Sequence, residues 1–280
     1  MNANPYPNYA FGFDPLTGKH KVLCMWEISR YAPWDGNGMV HVKVDISCEV
    51  FTVGENKWRK LDDVPPVVKL HGRPVYANGS IYIRNSGLSD PPGDELILAF
   101  DVGTEKFRVI EIPTFIVKYS ATSRESCSFL GEYFLQVDGY MALLDRVDED
   151  VVKLWISDDS CSEKKRTTKW TEETILLPFP WGRGCPLDVT AVEGTNQLII
   201  TSPTPGTCLR SFVSLYIYDR VTKSSQKIDI TGIVASPLLM RPYGYDMFIY
   251  HESLVPVHQK PAAEEIPDQT CSFTTGLKME

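Results

Sequence analysis

Two kinds of hairpin turn alternate along this chain, and this alternation constrains the fold more than any other feature of the sequence. Turns of the first kind lie near residues 16, 78, 138 and 194 and include the dipeptides Asn78-Gly79 and Asp138-Gly139. Such dipeptides favour tight hairpins because both central residues of a type I′ turn need a positive φ. Turns of the second kind lie near residues 54, 103, 158 and 221. Each pair of turns implies four antiparallel strands, and the pair recurs roughly every 50 to 60 residues.

The segments between these turns have a hydrophobic period of two. From residue 40 to residue 50 the odd positions are polar or charged, and the even positions are Val40, Val42, Val44, Ile46, Cys48 and Val50. Successive side chains of a strand point to opposite faces, so this pattern predicts a strand with one buried face. A four-stranded unit that repeats at this spacing is typical of a β-propeller blade.

The sequence therefore predicts an all-β fold, a kelch-like β-propeller that is incomplete or irregular, with about four recognisable four-stranded blades. The opening hairpin FGFDPLTGKHKVLCMW, residues 11–26, is assigned to the inner half of the first blade, and residues 40–61 to its outer half. Propellers close to protect their edge strands, and residues 246–250 are a candidate closing strand. A β-sandwich or barrel, which also has short strands at regular spacing, is the alternative.

Three aromatic residues follow turns of the second kind. They are Trp58, Phe107 and Trp170, and two of them are preceded and followed by a basic residue, as in Lys57-Trp58-Arg59. We interpret these rings as structural, packed between neighbouring blades, rather than as stacking platforms for a ligand.

The charge and hydropathy of the chain exclude several classes of function. Lys and Arg number 28 against 36 Asp and Glu, a net charge of −8, which argues against binding to nucleic acid. No run of 18 apolar residues predicts a membrane span, and MNANPYPNYA lacks the apolar segment of a secretory signal. We expect an intracellular protein, in the cytoplasm, the nucleus or both.

The sequence has no recognisable catalytic or metal-binding pattern. None of the seven cysteines forms a CxxC pair, and the five histidines are isolated from one another. The GxSxG, HExxH and GxxxxGK[ST] motifs are absent. We therefore expect a chain that is not an enzyme, binds no metal and needs no cofactor.

Several segments, in the same order, resemble the plant F-box-associated domain, and more narrowly its type 3, kelch-like propeller form. They are FGFDPLTGKHKVLCM, CEVFTVGENKWRKL, VYANGSIYIRN, ELILAFDVGTEKFRVIEIP and VDGYMALLDR. The resemblance extends over residues 9–255, which we assign to an F-box-associated β-propeller domain. Residues 1–8 form a short N-terminal arm, and residues 256–280, without apolar periodicity, are predicted to be a disordered tail.

This resemblance implies a protein-binding propeller, the substrate-recognition part of an F-box subunit of a Skp-cullin-F-box ubiquitin ligase. In that family an N-terminal F-box of helices docks onto the Skp adaptor. The nine residues MNANPYPNY contain two prolines and predict no such helices, so the Skp adaptor is expected as a partner only of longer forms that carry an F-box. The alternative is a stand-alone or vestigial interaction module with no link to a ubiquitin ligase.

A parity argument predicts which end of the propeller binds the target protein. In a four-stranded meander the first and third turns lie at one end, where this chain has mostly tight turns. The connections at the other end are long, among them residues 27–40, 62–74, 178–188 and 201–212. Loops on a rigid scaffold concentrate binding residues, and Trp, Tyr and Arg are the usual interface anchors. The candidates, each of which also has a plain reading as loop packing, are Tyr31, Trp34, Arg73, Trp181, Arg183 and Arg210.

Overall fold

The computed structural model describes residues 2–34, 38–55, 57–65, 70–85, 96–113, 115–116, 133–158, 168–181, 187–201 and 212–231. Within these ranges sixteen strands form four antiparallel sheets of four strands each. The prediction of an all-β chain with four four-stranded units is confirmed.

Each sheet is a meander of four consecutive strands. The first sheet consists of β1 (Asn2–Asp14), β2 (Lys19–Trp34), β3 (Gly38–Thr52) and β4 (Trp58–Lys60). The second consists of β5 (Leu70–Ala77), β6 (Ser80–Asn85), β7 (Leu96–Asp101) and β8 (Lys106–Glu111). The third consists of β9 (Tyr133–Val137), β10 (Tyr140–Arg146), β11 (Val151–Asp158) and β12 (Lys169–Leu176). The fourth consists of β13 (Asp188–Ala191), β14 (Gln197–Thr201), β15 (Phe212–Asp219) and β16 (Ser224–Thr231).

The tight turns have the backbone geometry that their residues predict. Asn78 and Gly79 have φ values of 45° and 75°, and Asp138 and Gly139 have values of 53° and 83°. Two consecutive positive φ values define the type I′ hairpin, whose twist matches that of the strands it joins. The opening hairpin is β1–β2, and it supplies the two inner strands of the first sheet, as predicted.

The four sheets follow one another through their first strands. Strand β1 contacts β5, β5 contacts β9, and β9 contacts β13. Because each sheet begins at the strand that adjoins its neighbours, the other three strands lead away from this shared inner row. This is the arrangement of propeller blades around an axis.

Three apolar cores fill the spaces between successive sheets. The core between the first and second sheets includes Ala10, Leu23, Met25, Val50, Ile81, Leu98 and Phe100. The core between the second and third includes Tyr82, Ile97, Ala99, Met141, Leu143 and Trp155. The core between the third and fourth includes Val137, Leu154, Ile175, Trp181, Leu198, Ile200 and Tyr218. Each fully buried aliphatic or aromatic side chain contributes about 1.5–3 kcal/mol, so these cores hold the blades together.

The first and second sheets approach closely at Gly12. A Cβ atom added at this position would lie 2.7 Å from Cγ2 of Val102 and 3.0 Å from Cδ1 of Ile81. Only a residue without a side chain lets β1 come this near to the second sheet.

Two cysteines of the first sheet have thiols that form no disulfide bond. Cys24 and Cys48 are both buried and free. Burial raises the pKa of the Cys48 thiol to about 12, and the nearby Cys24 and Asp63 act in the same direction. A thiol with this pKa stays protonated near neutral pH, so Cys48 is a core residue rather than a nucleophile.

Candidate partner-binding surface

One end of the array, which we call the tight-turn end, carries the turns at residues 15–18, 78–79, 102–105, 138–139 and 220–223. Charged residues there connect the first sheet to the second. The Lys21 amine lies 3.0 Å from Oε1 of Glu105 and 3.4 Å from Oδ2 of Asp14, and its side chain is only 9% exposed. The amine also donates a hydrogen bond of 2.8 Å to the carbonyl oxygen of Val102. Arg59 pairs with the other carboxylate oxygen of Glu105.

The carboxylates of this network are held in their charged forms. Burial by itself raises the pKa of Glu105, but hydrogen bonds from Arg59 and Lys21 outweigh it and leave the pKa below its ordinary value. The Thr17 hydroxyl, which donates to Asp14, is the main cause that lowers the pKa of Asp14. Hydrogen bonds to an ionised carboxylate favour the charged form.

A second network connects the third and fourth sheets. The Arg220 guanidinium, in the turn between β15 and β16, donates hydrogen bonds of 3.0 Å and 2.7 Å to the two carboxylate oxygens of Glu173 on β12. It donates a third, also of 2.7 Å, to Asp138 in the turn between β9 and β10. The hydrogen bonds from Arg220 are the main cause of a lowered pKa at Glu173. Bidentate pairing of this kind fixes orientation as well as charge.

At the tight-turn end, the charged side chains of these two networks form ion pairs between neighbouring sheets, at two of the three junctions between sheets. That partners bind at the opposite end stays a prediction.

At the opposite end, the prediction of a long loop over residues 27–40 is wrong. Strand β2 continues to Trp34 and strand β3 begins at Gly38, so most of this stretch is paired backbone. Tyr31 is in register with Asn2 on one side and His41 on the other, and Trp34 is in register with Gly38. The Pro and Gly residues of this stretch are typical of a loop, but its Tyr and Trp residues favour strands, and the strands continue through it.

The result is a three-stranded projection, which we call the extension: residues 2–8, 29–34 and 38–45. Strands β2 and β3 have 16 and 15 residues, whereas β7 and β8 of the second sheet have six each. Strand β4 pairs with β3 only at residues 49–51, so β3 continues far beyond its outer neighbour. A register shift between Arg30 and Tyr31 marks a bulge at the base of the extension. Bulges of this kind bend a strand and increase its twist.

The remaining candidates have different environments. Arg73 is exposed and belongs to strand β5 rather than to a loop, in the stretch where the register shifts between His71 and Val75. Arg183 and Arg210 lie outside the described residues.

Trp181 is in the core rather than on the surface. Its side chain is 1% exposed and packs in the core between the third and fourth sheets, beside the partly buried Phe179. Its backbone N–H donates a hydrogen bond to the carbonyl oxygen of Glu149. The prediction that Trp181 contacts a partner is therefore wrong, because the connection over residues 178–181 folds inward and buries its aromatic residues.

The three predicted inter-blade aromatics do not share one environment. Phe107 packs against the core between the first and second sheets, and Trp170 packs against the core between the second and third. Trp58 is 46% exposed, and its ring lies 5.5 Å from Phe51 and 6.4 Å from Tyr9, centroid to centroid, within its own sheet. The prediction of a buried wedge between blades is wrong for Trp58, because its register with Phe51 turns it to the face directed away from the second sheet.

Sequence reasoning missed that Trp58 belongs to a group of exposed and half-buried aromatic residues on that same face. The aromatic face, as we call it, consists of Tyr9, Phe11, Phe51 and Trp58. Tyr9 is 55% and Phe11 58% exposed, while the alternate residues Ala10 and Gly12 are buried against the second sheet. The period of two in Tyr9, Phe11 and Phe13 was the signal available in the sequence. Tyr6, in the extension, is 68% exposed and was also missed.

The described part of the chain contains no group of three or more His, Cys, Asp or Glu side chains placed to hold a metal ion. The same residues include no helix long and apolar enough to span a membrane.

Comparison with known proteins gives a consistent set of relatives. The model of a family described as the F-box associated beta propeller domain matches residues 3–250. A putative F-box protein of Arabidopsis thaliana is 36% identical over 247 residues, which is 83% of this chain and 52% of that protein. A second putative F-box protein of A. thaliana is 22% identical over 88% of this chain, and an F-box/kelch-repeat protein of the same plant is 24% identical over 80%; in both cases the match is 54% of the relative. The chain thus spans about half the length of these curated relatives.

Proposed function

Because the chain belongs to the family of F-box associated β-propeller domains, we propose that it is a protein-binding module, without enzymatic activity of its own, that recognises a target of an F-box ubiquitin ligase. In this role the propeller holds the target, and an F-box in the longer protein docks onto the Skp adaptor. The relatives that are named F-box proteins support the assignment to this class.

The observation that carries the proposal is the extension of the first sheet. Three paired strands project beyond the short strands of the other sheets, at the end opposite the two ionic networks. A paired, twisted ribbon keeps its shape better than a loop of the same length, so it can present side chains to a partner at small entropic cost. Tyr6, Tyr31 and Trp34 are of the residue types that most often anchor interfaces.

On its β1 side, the extension does not present an open strand edge for pairing with a partner. The edge of β1 that does not pair with β2 includes Pro5 and Pro7, which have no backbone N–H and, being two residues apart, affect the same edge of the strand. Prolines at such an edge block the addition of another strand. At this edge we therefore expect recognition through side chains rather than through backbone pairing.

The test is capture of partners from plant extract by the immobilised chain, with quantitative mass spectrometry. The variant Tyr31→Ala/Trp34→Ala changes the extension, and Thr104→Ala/Thr222→Ala is the matched control at the tight-turn end. We expect one or a few proteins that the wild type and the control retain and that the extension variant loses. Loss in the control alone would show that the partner binds at the other end.

The ubiquitin-ligase part of the proposal needs a second measurement. The captured protein's half-life is followed in plant cells, with and without a proteasome inhibitor, while the chain is present in excess. A target of an F-box protein is expected to turn over by ubiquitination and to change its half-life when the chain competes for it. A partner whose half-life is insensitive to both treatments would contradict this role and leave a stand-alone interaction module.

A further inference from the structure

The extension has two long edges, and they differ in sequence. The β1 edge is blocked by Pro5 and Pro7, whereas β3 contains no proline. On the side of β3 that does not pair with β2, strand β4 pairs only with residues 49–51. Among the described strands, β3 has only β2 as a partner over residues 38–47, and we call the other side of this stretch the β3 edge. A long strand edge of this kind is a template for pairing with another chain.

The backbone hydrogen bonds show which residues of β3 point to this edge. The carbonyl oxygen of Cys48 accepts a hydrogen bond of 2.9 Å from the N–H of Leu61, which lies on the β4 side. In an antiparallel strand the backbone groups of alternate residues point to the same side, and the register of β3 with β2 is unbroken over residues 43–52. The N–H and C=O groups of Val44 and Ile46 therefore point to the β3 edge.

The chain's own outer strand ends just before this stretch. Leu61, directly after β4, lies opposite Cys48 and is buried in the core between the first and second sheets. Two residues further along, at the position that a continued strand would place opposite Ile46, the chain has the exposed Asp63, whose carboxylate accepts a hydrogen bond of 3.1 Å from the N–H of Phe107 on β8. Ile46 packs against the same core, so an apolar residue opposite it would continue the packing that Leu61 begins.

We infer that the β3 edge binds an extended segment of the target protein as an additional antiparallel strand. This inference rests on the proposed function and specifies how the extension recognises its target. In such pairing the main-chain hydrogen bonds provide affinity, and side chains at alternate positions provide specificity. The added segment lacks proline and carries β-branched apolar residues opposite Val44 and Ile46, because cross-strand pairs of this kind stabilise a sheet.

A second copy of the chain fits the β3 edge less well. The register with β2 passes from Lys43 to His41, so Val42 is the extra residue of the bulge. In a pair of two copies, each β3 continues past the shared stretch towards the other copy's β4. An extended ladder avoids collision with both β4 strands only in registers that include both bulges. A bulge disrupts a ladder locally, whereas a target segment can pair with residues 43–47 alone.

A synthetic peptide tests this inference without the target. The probe is fluorescently labelled acetyl-KTVTVTVTK-amide, titrated into the purified chain of 280 residues. One N-methylated form carries its methyl groups at the Val residues, whose N–H groups would face the β3 edge, and the other at the Thr residues, whose N–H groups would face away. We expect saturable binding that methylation at Val weakens at least about tenfold and methylation at Thr leaves unchanged. No saturable binding, or equal binding of the two forms, would overturn the inference.

Amide hydrogen exchange, measured by NMR, shows where the peptide binds. The amides of Val44 and Ile46 should exchange at least about fivefold more slowly with saturating peptide, because pairing removes them from water. The amides of β16, the outermost strand of the fourth sheet, are the control and should be unchanged. Protection of β16 instead of β3 would overturn the inference.

The variant Val44→Pro separates strand pairing from other modes of protein binding. The Val44 N–H points away from β2, so a proline there removes no hydrogen bond between β2 and β3. Val44→Thr, which keeps the N–H and a β-branched side chain, is the matched control. We expect Val44→Pro to lose both the peptide and the protein captured from plant extract, and Val44→Thr to retain both.

Two results with this variant would contradict strand pairing with a target. Capture by Val44→Pro at the wild-type level would overturn the inference and leave protein binding, the proposed function, intact. A dimer of the wild type that Val44→Pro dissociates, seen by sedimentation, would show that the β3 edge holds a second copy instead. If Val44→Pro does not fold, the two methylated peptides on the unchanged chain decide the question.

Discussion

At the scale of single residues, Lys21 shows how a charge is accommodated between two blades. Its amine is almost fully buried and is surrounded by Glu105, Asp14 and the Val102 carbonyl oxygen. Two carboxylates and one carbonyl satisfy the three donors of an ammonium group. Removing such a group leaves buried carboxylates without their partner, which costs more than the pair gained when it formed.

We therefore expect Lys21→Met, which keeps the length of the side chain, to lower the free energy of unfolding by about 3 kcal/mol. Urea denaturation followed by fluorescence measures the change. Lys19→Met is the matched control, because Lys19 pairs with Glu55 at the surface, where both side chains are about half exposed. Its effect should stay below about 1 kcal/mol. Equal effects of the two substitutions would show that the Lys21 network is not buried.

The pH dependence of stability follows from Glu105. Its pKa in the folded protein is lower than the ordinary value of 4.5, so the Glu105 carboxyl gives up its proton more readily in the folded protein than in the unfolded chain. The stabilisation is complete above pH 4.5 and is lost as the pH falls through the folded pKa. Melting temperatures of the wild type and Glu105→Gln should differ most above the ordinary pKa of 4.5 and converge as the pH falls below the folded pKa. A constant difference at all pH values would contradict this assignment.

Trp58 and Trp181 are expected to contribute very differently to stability. Trp181→Ala should destabilise the protein by about 3–5 kcal/mol, because its ring fills the core between the third and fourth sheets. Trp58→Ala should cost only about 1 kcal/mol, because nearly half of its ring is already exposed. Thermal melts of both variants show which substitution destabilises the protein more. The reverse order would mean that Trp58, and not Trp181, fills a core.

At the scale of strands and turns, what could be predicted was local. The dipeptides at 78–79 and 138–139 adopt their turns because the positive φ values are a property of those residues themselves. The length of β2 and β3 was not predictable in this way, because Tyr31 and Trp34 become strand residues only through pairing with the neighbouring strands. The burial of Trp181 and the exposure of Trp58 likewise depend on which sheet each ring meets. Pattern analysis therefore found the blades but misplaced part of the candidate binding surface.

The contact between neighbouring sheets at Gly12 gives a prediction at this scale. Gly12→Ala places a Cβ atom 2.7 Å from Val102, so the side chain of Val102 or the strand β1 must move. We expect a loss of about 1–3 kcal/mol, typical of an overpacked core. Leu16→Ala, at an exposed turn position on the same hairpin, should leave the urea midpoint unchanged. An unchanged midpoint for Gly12→Ala would show that the first and second sheets lie further apart than described.

At the scale of the whole molecule, the array resembles a series of layers, each of which shares a core with the next. Ile200 lies fully buried in the core between the third and fourth sheets, and none of the described side chains in that core belongs to the first sheet. In a series of this kind, stability depends on each layer and on its contacts with its neighbours.

Ile200→Val, which removes one methylene group, should cost about 1 kcal/mol. Hydrogen exchange measured by mass spectrometry should become faster in β10–β12 and β13–β15 by roughly fivefold, while β1–β3 keep their protection. The Ile81→Val variant, in the core between the first and second sheets, is the mirror-image control and should affect β1–β3 instead. A uniform increase in exchange across all four sheets in either variant would show that the array unfolds as one unit.

The ion pair between Lys21 and Glu105 also has a consequence for the synthesis of the protein on the ribosome. The two residues are 84 positions apart in the chain, so the amine emerges from the ribosome well before its carboxylate exists. At ~5–20 residues per second, the interval is on the order of 4 to 17 seconds. During that time the first hairpins have a charged amine and an apolar face but no second blade to receive them. Until the second blade is made, water solvates the amine, while the apolar face is exposed to solvent and open to binding by a chaperone.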